Sequence, residues 1–150
     1  MNINKQILER VKEMKVGFIG LGIMGKPMAK NLLKAGIELW VFDLNREAVR
    51  EVEEAGAYAT TYAEIGKKCD IVFIIVPSGD IVKSILFGED GVASTLKEGS
   101  IVCDMSSVTP VESRECYERL QKIGVGFVDA PVSGGEPGAI AGTLAIMAGG

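Results

Sequence analysis

Apolar residues run through this chain in short bursts of two kinds. Some repeat at helical spacing, and others continue without polar interruption. Ile3, Ile7 and Val11 recur at i, i+4 and i+8, which predicts a short amphipathic helix over residues 3–14. Lys15–Gly20 is an apolar run closed by glycine and reads as a buried strand. Met24–Ala35 has helical spacing and stops at Gly36, a residue suited to the left-handed position after a helix. Glu38–Asp43 is a second strand, Arg46–Ala55 a helix capped by Asn45, and Ala57–Thr60 a short strand. Thr61 and Glu64 form a capping-box pattern that opens another helix. Asp70–Val76 is β-branched and apolar on both faces, as strands buried in a parallel sheet are. Asp80–Leu86 predicts a helix and Ser100–Asp104 a strand. Thr109, Pro110 and Glu112 start a helix that runs to about Lys122. Val125–Asp129 and Thr143–Ala148 complete the set as strands. Alternating strands and helices of this kind predict a doubly wound α/β domain with a mostly parallel sheet and helices on both faces.

Composition narrows the chemistry. The 150 residues include 19 glycines, without a collagen period, and 47% are hydrophobic, so the glycines mark close turns in a packed domain. Histidine is absent, which excludes a Ser-His-Asp triad, a His-Glu-x-x-His zinc site and any imidazole acid or base. A net charge of −4 argues against nucleic acid as a partner. Cys69, Cys103 and Cys116 are odd in number and widely spaced, which predicts reduced thiols in a cytoplasmic protein and no metal site. No apolar run approaches the roughly 18 residues of a membrane span, and the charged start predicts no secretory leader.

Gly20-Leu21-Gly22-Ile23-Met24-Gly25 matches G-x-G-x-x-G between a predicted strand and a predicted helix. Asp43 ends the next strand 18 residues further on. That context is what a dinucleotide site requires, and it makes the domain Rossmann-type. Gly20 permits the tight turn, Gly22 lets the backbone approach a pyrophosphate, and Gly25 lets helix and strand pack closely. The helix start offers N–H groups to the phosphates. Asp43 would accept from an adenosine ribose diol and repel a 2′-phosphate, which favours NAD over NADP. Leu44 stands where an NADP site would gain from arginine, although Arg46 is near enough to reach such a phosphate. The competing readings are a glycine turn without a ligand and an Asp43 that merely ends its strand.

With Gly17-Phe18-Ile19-Gly20-Leu21-Gly22-Ile23-Met24-Gly25-Lys26-Pro27-Met28-Ala29 and Asp129-Ala130-Pro131-Val132-Ser133-Gly134-Gly135 both present, residues 14–150 resemble the NAD-binding domain of the β-hydroxyacid dehydrogenase family. That family includes 6-phosphogluconate dehydrogenase. Glu136-Pro137 and the Gly-Ile-Met-Gly-Lys-Pro-Met run look most like its tartronate semialdehyde (2-hydroxy-3-oxopropionate) reductase branch, with the 3-hydroxyisobutyrate dehydrogenase branch as the alternative. The resemblance implies cofactor contacts from Gly20, Leu21, Gly22, Ile23, Met24, Gly25, Asp43 and Leu44. It also implies contacts from Val76 and Pro77 near the nicotinamide ribose, and from Ser107 at the nicotinamide end. Ser133, Gly134 and Gly135 would hold the substrate's carboxylate and hydroxyl, and a serine followed by two glycines suits an anion-binding nest. For Ser106 and Ser107 a capped turn before the helix at Thr109 is an equal alternative. For Ser133 the alternative is an ordinary turn.

The same resemblance places the family's catalytic lysine on a helix beyond the cofactor domain. No lysine lies between Gly124 and Gly150, and Lys122 is the last. The chain is therefore expected to lack a catalytic residue and to be inactive alone, with the all-helical catalytic domain absent. A fragment of a longer enzyme, a truncated gene and a stand-alone NAD(H)-binding module all remain open, and the ending at Met147-Ala148-Gly149-Gly150 leans toward a fragment. A flavin- or methyl-donor-binding domain of the same fold fits less well. It leaves Ser133-Gly134-Gly135 without a role. Residues 1–13 are an extension that reads either as a genuine helix, too short to persist without a docking surface, or as a leader translated from an upstream start. The surface left by a missing domain is expected to favour self-association.

Overall fold

The structure is a computed structural model that describes residues 2–150. The chain runs α1 (Ile3–Glu13), β1 (Lys15–Ile19), α2 (Gly25–Lys34), β2 (Glu38–Phe42), α3 (Arg46–Glu54), β3 (Tyr58–Ala59), α4 (Tyr62–Lys68) and β4 (Ile71–Ile74). It continues with α5 (Gly79–Phe87), β5 (Ile101–Asp104), α6 (Pro110–Gln121), β6 (Gly126–Asp129), β7 (Val132–Ser133), α7 (Gly135–Ala141) and β8 (Ala145–Ile146). Six strands form one parallel sheet in the order β3-β2-β1-β4-β5-β6. The order reverses between β1 and β4, which creates a crevice at their carboxyl ends.

Side-chain alternation divides the core into two layers. Val16, Phe18, Leu39 and Val41 face α2 and α3, where Ala29, Ala48 and Val52 are buried. Val72, Ile74, Val102 and Phe127 face the opposite way and pack with Val82, Leu86, Cys116 and Leu120 of α5 and α6. Gly17 lets α4 approach β1, since a Cβ there would meet Ile65 at 2.6 Å. Helix starts carry the predicted caps: Asn45 accepts from Glu47 and Ala48, Thr61 from Glu64, and Thr109 and Glu112 complete a reciprocal capping box. In α1, capped by Asn2, only Val11 leans on the core, so this helix borrows little stability from the domain.

The last segment departs from the expectation. Residues 143–148 do not add a strand to the main sheet. Only Ala145–Ile146 is extended, and it pairs antiparallel with Val132–Ser133 in a separate two-stranded sheet. An antiparallel bridge between Asp129 and Gly149 is its link to β6. The helix α7 between β7 and β8 was not foreseen, because Gly135-Glu136-Pro137-Gly138 has poor helix propensity. Tertiary contacts override that. The Asn31 side chain on α2 donates to the Ala139 carbonyl at 2.7 Å, and Gly142 reverses the chain at φ 71°. Ser133 therefore lies in a strand and Gly135 in the first turn of a helix, where a loop was expected.

Candidate cofactor site

β1 delivers the chain to the crevice, and Gly20 turns it at φ 100°. A Cβ on Gly20 would run into the Ile75 carbonyl oxygen, and one on Gly25 into the Gly20 carbonyl oxygen. Both positions thus require glycine for the fold itself. Gly22 differs: no atom lies within 4 Å of where its Cβ would be. The space over Gly22 is free for a ligand, beside the start of α2 and the positive end of its dipole. A groove of about 610 Å³ adjoins the turn, walled by Gly22, Ile23, Lys26 and Glu51 among others. Lys26 and Lys30 share Glu51 at 3.0 and 3.7 Å, and Lys26 above all holds that carboxyl below the usual range.

Asp43 ties the turn to β2. Its Oδ2 accepts the Leu21 N–H at 2.7 Å and its Oδ1 accepts the Asn45 N–H at 2.7 Å. Each carboxylate oxygen keeps a second lone pair for a ligand hydroxyl. Leu21 is buried at 2% exposure with its N–H engaged on Asp43, so its part in the site is to anchor the turn. Ile23 and Leu44, by contrast, are 70% and 85% exposed and flank open grooves, while Met24 caps α2 without a side-chain bond. Beyond Asp43 lies a groove of about 520 Å³ lined by Leu44, Arg46, Arg50 and Thr61. Arg50 and Thr61 are additions that sequence spacing did not single out. Arg50 projects into the groove only because α3 packs beside β2.

A glycine turn with an open central glycine, joined to an acid at the end of β2, is the geometry of a dinucleotide fold, and comparison with known proteins agrees. Residues 15–150 match the family model of the NAD binding domain of 6-phosphogluconate dehydrogenase. The chain belongs to that family. This NAD-binding domain is 43% identical over 137 residues to 2-hydroxy-3-oxopropionate reductase of Escherichia coli, covering 91% of the chain and 47% of the relative. It is 45% identical over 139 residues to 2-(hydroxymethyl)glutarate dehydrogenase of Eubacterium barkeri, covering 92% and 46%. Among solved structures it resembles 3-hydroxyisobutyrate dehydrogenase from Salmonella typhimurium at TM-score 0.85 and 34% identity, covering 91% of this chain and 48% of that one. The chain thus spans about half the length of the relatives it matches.

The other half of the domain's carboxyl edge carries the remaining expected residues. The Val76 N–H donates to Ser106 Oγ at 2.9 Å, and Pro77 stands exposed beside it. Ser106 is buried at 2% exposure, whereas Ser107 faces solvent. The two serines therefore have different jobs, and neither caps α6, since Thr109 does that. Ser133, Gly134 and Gly135 are exposed at the β7–α7 junction, with both glycines at positive φ (134° and 60°). Asp104, which sequence reasoning passed over, is the buried acid of this region. Its signal was an ionisable residue inside the apolar run Ile101-Val102-Cys103-Asp104-Met105. Burial above all pushes the carboxyls of Asp104 and its register partner Asp129 upward. Among the described residues no group of His, Cys, Asp and Glu side chains suits a metal ion, and no helix is long and apolar enough to cross a membrane.

Proposed function

We propose that residues 14–150 hold NAD(H) across the β1–β4 crevice and form the cofactor half of an oxidoreductase. That enzyme would move hydride between the nicotinamide and a small β-hydroxy or semialdehyde acid, with 1–13 as an appended helix and an all-helical catalytic domain beyond. The observation that carries this is the open space over Gly22 beside an Asp43 that already orders the turn. In this reading Gly22, Ile23, Met24 and Gly25 supply the pyrophosphate end, and Asp43 and Leu44 the adenosine ribose. Val76, Pro77 and Ser107 line the nicotinamide end, while Ser133, Gly134 and Gly135 receive the substrate carboxylate. Similarity to 2-hydroxy-3-oxopropionate reductase and to mouse 3-hydroxyisobutyrate dehydrogenase, the latter 41% identical over 136 residues, supports a substrate of this class, and the Glu136-Pro137 and Gly-Ile-Met-Gly-Lys-Pro-Met runs favour the first of the two.

The chain itself carries no lysine or histidine between Gly124 and Gly150 to protonate a forming alkoxide, so by itself it binds cofactor without turnover. NAD is the cofactor that Asp43 selects. A preference for NADP would be the work of Arg46 and Arg50 in the adjoining groove. Three free, largely buried cysteines suit a reducing compartment such as the cytoplasm. Ile140, Ile146 and Met147, in and beside the final segment, are 58%, 55% and 60% exposed, and this apolar surface supports self-association of the chain. Titration with NADH, followed by its fluorescence, tests the site. Saturation below millimolar cofactor, with weaker NADPH binding, is the expected result, and no binding at millimolar NADH overturns it. Sedimentation showing a strict monomer at high concentration removes the self-association.

A further inference from the structure

With adenosine expected over β2 and the pyrophosphate over β1, the strand order sends the other half of a dinucleotide across β4 and β5. Three loops leave the sheet on that side: 75–78 after β4, 105–109 after β5 and 130–131 after β6. One residue bonds toward all three. Asp104 is 1% exposed, and its Oδ1 accepts the Ser106 N–H at 2.9 Å. Ser106 Oγ in turn accepts the Val76 N–H at 2.9 Å, which fixes the exit from β4. The Asp104 backbone carbonyl accepts the Ala130 N–H at 2.8 Å, which fixes the exit from β6.

A buried acid is a costly choice for a strut. Asp104 Oδ2 has no hydrogen-bond partner, and neither does Oδ1 of Asp129, its register partner on β6. Glu112 of α6 adds further negative charge to the surroundings of Asp104. What the side chain does supply is an acceptor for the Ser106 N–H, which would otherwise be buried without one.

We propose that Asp104 is a positioning residue for the nicotinamide half of the cofactor. It acts through Ser106 on the Val76 N–H and sets the 75–78 loop at the height the nicotinamide riboside needs. The inference rests on the NAD site proposed above and extends it to a residue that touches no ligand. Only the acceptor oxygen is required, so an amide of the same shape serves as well as the acid.

The test compares two probes on the 150-residue chain. NADH engages both halves of the crevice, and ADP engages only the adenosine and pyrophosphate half. Asp104→Ala and Ser106→Ala are expected to weaken NADH about tenfold, toward the ADP value, while ADP affinity stays within about twofold. Asp104→Asn is expected to bind NADH like the parent chain. If Asp104→Ala loses its thermal transition, Ser106→Ala carries the same comparison. Unchanged NADH affinity in the folded variants overturns the proposal. So does equal weakening of both ligands, which marks general damage, or failure of Asp104→Asn to match the parent. A parent chain that binds NADH no tighter than ADP overturns it and leaves the adenosine site standing. A parent chain that binds neither overturns the NAD site and this proposal together.

Discussion

At the end of β1, a Cβ on Gly20 or Gly25 would collide with backbone carbonyls, whereas at the end of β5 a buried carboxylate and a buried hydroxyl hold the loops. The first edge of the crevice is shaped by what its residues lack, the second by what they bond. Steric shaping has one solution and is indifferent to pH. Polar shaping depends on each acceptor finding its donor. The first edge therefore tolerates almost no substitution at its structural glycines, and the second is graded, with conservative replacements retaining part of the arrangement.

Gly25→Val separates the two edges most sharply. Its side chain would be forced into the Gly20 backbone, and we expect a loss of stability of about 3 kcal/mol or more, read as a lower urea midpoint. A variant melting like the parent chain would show that the turn has slack. Gly22→Ala is the counterpart within the same turn. With no neighbour at its Cβ, stability should move by less than about 0.5 kcal/mol, while NADH affinity should fall about tenfold as the methyl enters the pyrophosphate space. Equal NADH affinity would mean that Gly22 is glycine for another reason.

On the polar edge, Thr109→Ala removes one side of the α6 capping box and should cost about 1 kcal/mol in chemical denaturation. A cost below about 0.3 kcal/mol would indicate that Pro110 already sets the helix start. The smallest expected effect is a slope with pH. The Asp104 and Asp129 carboxyls are raised in the fold mainly by burial, so the native state binds their protons more tightly than the unfolded chain. Stability then falls as pH rises above the ordinary carboxylate value of 3.8, and Asp104→Asn should flatten that slope in thermal melts between about pH 4 and 7. The thiols act in the same direction at the alkaline end. Burial pushes Cys69 up to about 12 and Cys103 and Cys116 to about 11, so stability should drop once pH passes 9.0. At neutral pH none of the three should react with a thiol reagent in the folded chain. An Asp104→Asn slope as steep as the parent's, or fast labelling of a native thiol, would contradict these environments.

Much of the fold was legible because its signals are local. Six strands and six helices were predicted within a few residues of their observed bounds, since each carries its own apolar period and cap. The glycine turn was legible for the same reason: the motif, the strand before it and the helix after it are contiguous. Asp43 was found by spacing, but its bond to Leu21 was not, because the two lie 22 positions apart and meet only when β1 and β2 pair. Ser106 and Ser107 could not be told apart in sequence. Burial separates them, and burial is decided by the loop after β4, whose Val76 N–H needs an acceptor. α7 was missed because its glycines disfavour a helix, and the bond from Asn31 that holds it spans 108 positions.

Taken by itself, the sequence determined the α/β alternation, the phosphate-facing turn and the acid beside it, all through short-range sterics and periodicity. Tertiary structure decided which strand neighbours which, turned the final segment away from the main sheet, and gave Asp104 its place between three loops. Those outcomes rest on hydrogen bonds between residues far apart in the chain, and such bonds exist only after the sheet has closed.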